Sequence, residues 1–219
     1  MIARNILAAL LGAAAVASPA LAESPYPLHL KNCGMDLTFD AAPASAVTVG
    51  QAATEVLYAL GLADKVAGTS VWFTDVLPEF KDLNAGVERL ADNDPSFESV
   101  VGKRPGLVVV QYEWHVGPQG IVATREQFRD VGIPTYILPA DCWKKDNAVG
   151  SDGTRSAMFE MESIHAGVRE LSRIFNVPER GDALVADLRA REEAATEKAQ
   201  ALGLKDASAV FWFSSAEMD

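Results

Sequence analysis

The spacing of apolar positions changes period repeatedly along this chain. Residues 27–40 alternate apolar and polar around Asn32-Cys33-Gly34, which predicts a small β-hairpin. After Pro43, residues 46–49 form a short buried strand, Gly50-Gln51 follow, and residues 52–60 read as a helix ending at Gly61. Residues 66–69 are a second short strand. Asp94-Pro95-Ser96 caps a short helix over 97–102 with Glu98 in its first turn. Residues 107–110, Leu-Val-Val-Val, are apolar throughout, as a strand covered on both faces requires. A helix over 120–131 leads through Gly132-Ile133-Pro134 to a strand at 135–138. Strands alternating with helices predict an α/β lobe of Rossmann-like type, with parallel pairing and right-handed crossovers.

Two further helices follow. Residues 157–175 carry Met158, Met161, Ile164, Val168, Leu171 and Ile174 on one face. Pro178 opens a longer segment, 179–202, about 35 Å long at ~1.5 Å per residue. Its apolar positions thin out after Leu188, so it resembles a strut more than a core helix. A coiled-coil arm is the alternative, but no heptad persists for three or four repeats. Residues 209–213 form a final strand, six residues from the end. Alone, such a strand exposes its edges. Either the chain is truncated at the start of a second lobe, or this strand joins the first sheet. The domain reading is a leader over 1–22, an N-terminal lobe over 23–177, a connecting helix over 178–204 and the first strand of an incomplete second lobe over 205–219.

The leader rests on Arg4, the apolar run 6–16, the break at Ser18-Pro19 and the small residues of Ala20-Leu21-Ala22. The run is far short of the ~20 apolar residues that span a bilayer. No cysteine follows the cleavage point, so export to a periplasm as a soluble protein without a lipid anchor is expected. Cleavage removes one basic residue and no acidic one, taking the net charge from −11 to −12. That surface repels phosphate backbones and anionic lipid, which argues against nucleic acid or a membrane surface as partner. The two cysteines, Cys33 and Cys142, invite a disulfide in an oxidising compartment, and separate thiols are the alternative. Neither has a second Cys or His at zinc-ligand spacing.

Ligands of parallel sheets bind outside the carboxyl ends of the strands. The loops 50–54, 70–75, 111–117 and 139–145 are therefore the candidate site. Trp72, Phe73, Tyr112 and Trp114 offer flat apolar faces to a large ligand, or else pack on the lobe surface. Lys144, Lys145 and Arg155 are the nearest basic residues, either for an anionic ligand or as a solvated loop. Of His29, His115 and His165 only His115 is well placed, and with Glu113 it makes no closed metal site. No nucleophile elbow, phosphate loop or His–Ser/Cys pairing stands out, so no enzyme is expected. Asp141 beside Cys142 leaves an activated thiol as an alternative to oxidation.

In combination these segments resemble the helical-backbone class of periplasmic binding proteins, which serve importers of iron-siderophore, haem, cobalamin and some metals. The resemblance runs over about 27–219. It rests on Pro43 before the strand 46–49, Gln51-Ala52-Ala53-Thr54-Glu55 opening a helix that ends Ala59-Leu60-Gly61-Leu62, then Val66-Ala67-Gly68. Pro95-Ser96-Phe97-Glu98-Ser99-Val100-Val101, Lys103-Arg104-Pro105-Gly106-Leu107-Val108 and Gly132-Ile133-Pro134 complete it. Gly106 departs from the family's usual Asp. Asn32-Cys33-Gly34 and Ala140-Asp141-Cys142 look like a subgroup of iron-complex receptors, which implies a ferric siderophore as cargo. The resemblance implies a monomeric receptor without a cofactor or resident metal, delivering a small metal chelate to the permease dimer of an ABC importer. Its ligand-facing residues would be Gln51, Trp72, Phe73, Tyr112, Trp114, His115, Ser214 and Ser215. Glu98 would pair with arginines of the permease, although the helix macrodipole alone also accounts for an acid there. Haem is the alternative cargo, with Tyr112 or His115 as axial ligand, and cobalamin follows from the fold alone.

Overall fold

The structure, a computed structural model, describes residues 25–148, 153–203 and 208. The expected leader, the strand expected at 209–213, and Ser214 and Ser215 lie outside the described residues. Strands β1 (Leu28–Asn32) and β2 (Met35–Phe39) form the expected antiparallel hairpin, with Asn32 opposite Met35. Its turn residues, Cys33 and Gly34, both have left-handed backbone (φ 45 and 83), the combination that a tight two-residue hairpin turn requires.

The centre is a five-stranded parallel sheet of β3 (Ala46–Val49), β4 (Val66–Ser70), β5 (Arg89–Ala91), β6 (Leu107–Val110) and β7 (Thr135–Ile137), in the order β5-β4-β3-β6-β7. Every residue of β3, β6 and β7 is buried. Alternation along each strand divides them between two cores. Val47, Val49, Val108, Val110 and Ile137 pack with Phe128 on one face. Ala46, Leu107, Val109 and Tyr136 pack with Leu57, Leu171 and Ile174 on the other, where the hairpin adds Leu28, Leu37 and Phe39.

Among the described residues six α-helices accompany the sheet: α1 (Gln51–Ala59), α2 (Lys81–Ala85), α3 (Phe97–Gly102), α4 (Arg125–Asp130), α5 (Glu162–Ile174) and α6 (Pro178–Ala201). Two of them are shorter than their apolar spacing predicts. The helix expected over 120–131 starts only at Arg125. Gly120 has φ 54, the N–H of Val122 donates to the carbonyl of His115, and Thr124 starts the helix in a reciprocal capping box with Gln127. The helix expected over 157–175 starts at Glu162, leaving Met158 90% exposed. Tertiary pairing wins there: the two-residue strands β8 (Lys145–Asp146) and β9 (Thr154–Arg155) pair, and Lys144 bonds Glu160 at 2.7 Å, so the segment is drawn across the loop before α5.

Helix α6 covers nearly all the expected strut. It folds back on α5 through a turn with Asn176 at φ 58. Gly181 permits the close approach, since a Cβ there would lie 2.1 Å from Ser172 Oγ. Further along, Glu162 of α5 takes Arg189 at 2.7 Å and Arg169 at 2.8 Å, and buried His165 lies 2.8 Å from Glu192. Residues 193–200 are all exposed. No helix among the described residues is long and apolar enough to cross a membrane.

Candidate binding site

Strand order runs outward in both directions from β3, so the crevice between the carboxyl ends of β3 and β6 is the topological switch point. Gln111 fills its floor. The Gln111 side chain accepts the N–H of Ala52, at the start of α1, at 2.9 Å. Gly50 makes room for it: its φ is 119, and an added Cβ would sit 2.2 Å from Gln111 Cβ.

Above this floor lie two adjoining hollows of about 710 and 420 Å³, which share Tyr112, Asp141 and Lys145. The larger is walled by Phe73, Tyr112 and Trp114, which are 67%, 36% and 46% exposed, with Asp94 and Asn147 among its polar lining. Ala52, Val56, Leu138, Pro139, Ile164 and Val168 give the smaller one an apolar wall, with Arg155 beside them. The expected loops do converge, bringing Phe73, Tyr112 and Trp114 to one opening.

Three of the expected ligand-facing residues have other work. Trp72 is buried: its Nε1 donates to Thr69 Oγ1 at 3.0 Å, and Arg89 lies 5.0 Å over its ring. That Thr69 hydroxyl belongs to a buried chain with Thr54 and Thr48. The preceding Val71 takes φ 61, a strained value for a β-branched residue that costs ~1–3 kcal/mol. This turn sends Trp72 into the protein and leaves Phe73 outside. Gln51 serves as a tether. Its Oε1 accepts the N–H and hydroxyl of Thr74, and its Nε2 donates to Glu55 and to the carbonyl of Asp75, so it holds the loop that carries Phe73. His115 is buried with both ring nitrogens engaged, Nε2 at 3.0 Å from Asp94 and Nδ1 at 3.2 Å from the Tyr112 carbonyl. It lacks the free nitrogen that an axial ligand to haem needs.

Cys33 and Cys142 form the expected disulfide, with Cα atoms 5.6 Å apart, joining the hairpin to the loop after β7. The alternative of an activated thiol at Cys142 therefore falls. Asp141 instead organises the site floor: its Oδ2 accepts the N–H of Glu113 at 2.7 Å and its Oδ1 pairs with Lys145 at 2.6 Å. Asn147 donates to Glu113 Oε2 at 2.5 Å and to the Asp141 carbonyl at 3.0 Å. Burial, with Asp141 adding to it, raises the Tyr112 hydroxyl above the usual tyrosine range, only partly offset by a hydrogen bond from Gln111, so it stays neutral at pH 7. Arg125 lies beneath, buried among acceptors: Thr135 Oγ1 and carbonyl, and the carbonyl and Oδ1 of Asn32. Desolvation lowers its pKa. It fastens the hairpin to β7 independently of the disulfide. Sequence reasoning missed this floor; the i,i+4 spacing of Asp141 and Lys145 was its one local sign. Glu98 is exposed in the first turn of α3, after Ser96 caps the Ser99 N–H, and α3 follows the carboxyl end of β5 at the same rim. Among the described residues no three His, Cys, Asp or Glu gather to hold a metal ion.

The periplasmic binding protein family model matches residues 47–218. No curated protein matches the sequence. Among solved structures, a periplasmic binding protein from Veillonella parvula is 24% identical with a TM-score of 0.64, covering 82% of this chain and 54% of its own. An ABC-type Fe3+-hydroxamate transport protein from Saccharomonospora viridis is 27% identical with a TM-score of 0.61, covering 80% and 57%. Staphylococcus aureus SirA, complexed with staphyloferrin B, is 17% identical with a TM-score of 0.54, covering 82% and 52%. The chain thus spans about half the length of these solved structures.

Proposed function

Because this chain belongs to the periplasmic binding protein family, we propose that it is the receptor of an ABC importer, exported to the periplasm, with an iron complex as its cargo. The observation that carries this reading is the convergence of Phe73, Tyr112 and Trp114, exposed, on one open hollow at the carboxyl ends of a parallel sheet. Exposed aromatic rings in a concave site bind large, flat or shell-like ligands by surface burial. The 27% identity to a structure named for Fe3+-hydroxamate transport favours a ferric siderophore. With both nitrogens of His115 engaged, haem would depend on Tyr112 as its axial ligand, and cobalamin rests on the fold alone.

The action is binding without chemistry. The chelate sits on the aromatic wall, faces a second lobe, and is handed to the permease dimer. Helix α6 acts as the strut, limiting the lobes to a small rocking motion. Glu98, on the rim, is the docking acid, and its contact weakens as salt screens it. Native mass spectrometry of the monomeric full-length protein, purified from iron-starved cells, tests the reading. A bound, unaltered ferric chelate supports it; a bound sugar or peptide, or conversion of the ligand, overturns it.

A further inference from the structure

We infer that this lobe selects a chelate that is uncharged or cationic, against polyanionic ones; the inference rests on the receptor reading above. A polyanion entering a desolvated pocket needs cations free to pair with it. Lys145 and Arg155 are the cationic residues among the described residues lining the two hollows. Both are already committed. Lys145 Nζ lies 2.6 Å from Asp141 Oδ1, with only 14% and 9% of the two side chains exposed. Drawing Lys145 to a ligand would strand a buried carboxylate, the costly half of breaking a buried pair. Arg155 donates to the carbonyls of Trp143 at 3.0 Å and Ala140 at 2.6 Å, and its guanidinium stacks 5.2 Å over Phe159. Releasing it would uncap two carbonyls and free the loop after β7. Lys144, nearby, is held by Glu160.

The other side of the balance is negative. Asp94 lines the larger hollow with its side chain 47% exposed. The aromatic wall adds to this, because ring faces carry negative quadrupole potential and attract cations. Electrostatics and wall chemistry therefore point the same way. A ferric trihydroxamate fits that preference, while a triscatecholate with three net negative charges meets Asp94 and no uncommitted cation among the described residues that line the hollows.

The test titrates the full-length protein, followed by tryptophan fluorescence, with three ferric probes: ferrioxamine B, a monocationic trihydroxamate; ferrichrome, an uncharged one; and a trianionic triscatecholate. The expected result is at least tenfold tighter binding of the first two over the third. The Asp94→Asn variant, which keeps a hydrogen-bond acceptor for His115, should weaken ferrioxamine B about twofold more than ferrichrome, the Coulomb effect of one charge at roughly 8 Å in a water-like medium. Equal or tighter binding of the triscatecholate overturns the charge preference and leaves the receptor reading standing. If none of the three probes binds, the iron-chelate reading fails and the preference fails with it.

Discussion

Replacing Cys33 and Cys142 by serine opens a loop whose ends are 109 residues apart in sequence. In the chain-entropy account a cross-link of that span restricts the unfolded ensemble by about 5 kcal/mol. Residual structure in the unfolded chain takes back part of that, and Arg125 still holds the same hairpin to β7 through Asn32 and Thr135 without the bridge. The double variant should therefore fold, with the hairpin in place, and be less stable by about 4 kcal/mol. For a protein of this size each kcal/mol is worth about 2–4 °C in Tm, so the midpoint should fall by roughly 8–16 °C. Guanidinium unfolding of wild type, reduced wild type and the Cys33→Ser/Cys142→Ser variant measures this directly. The variant and the reduced protein should agree, and their denaturant slope should rise because an uncrosslinked chain exposes more surface on unfolding. A variant within about 1 kcal/mol of oxidised wild type would refute the reasoning. So would reduced protein that unfolds like the oxidised form.

Other consequences follow from the packing around the site. Gly50→Ala drives a Cβ into Gln111 at a φ of 119, and should cost about 3 kcal/mol in denaturant unfolding. Adding Gln111→Ala should recover only part, because the backbone conformation stays unfavourable. Hydrogen bonds from Arg189 first, then Arg169, hold Glu162 down to about 2 from an ordinary 4.5. A folded pKa below the unfolded one gives stability that is complete above about pH 4.5 and lost as pH falls towards 2. The Tm gap between wild type and Glu162→Gln should then be constant above pH 5 and close by pH 2; a gap that persists at pH 2 contradicts the clamp. Glu98→Lys should impair uptake in cells while leaving chelate affinity within twofold, and a collapse of affinity would remove Glu98 from the docking role.

What could be read along the chain was whatever local spacing decides. The strands at Ala46–Val49 and Leu107–Val110 and the helix Phe97–Gly102 lie where their apolar runs and Ser96 cap put them. Strand β5 escaped notice because Arg89–Ala91 is three residues long and only partly buried, with no period to detect. The helix at Arg125 was overdrawn because the apolar residues of 121–123 belong to a loop pinned to His115, a contact that no spacing announces. The candidate site shows the same division. Strand ends pointed to loops that converge on one hollow, and aromatic character picked out Phe73, Tyr112 and Trp114, which line it. The inward turn at Val71, the tether at Gln51 and the pairing of His115 with Asp94 depend on contacts between different loops. Asp141, Lys145 and Asn147 were missed as a unit for that reason.

If Trp114 is a ligand platform and not a structural residue, its removal costs binding and spares the fold. It is 46% exposed, so Trp114→Ala should leave stability within about 0.5 kcal/mol of wild type, as exposed substitutions do. Burying such a ring against a ligand is worth about 1.5–3 kcal/mol, or roughly ten- to a hundredfold in affinity. Isothermal titration of the full-length wild type and Trp114→Ala with ferric trihydroxamate, alongside their melting curves, compares the two quantities in one experiment. The prediction is a loss of at least tenfold in affinity with an unchanged Tm. Affinity within twofold of wild type, or a fall in Tm that matches the loss of binding, would contradict an aromatic binding wall on this lobe.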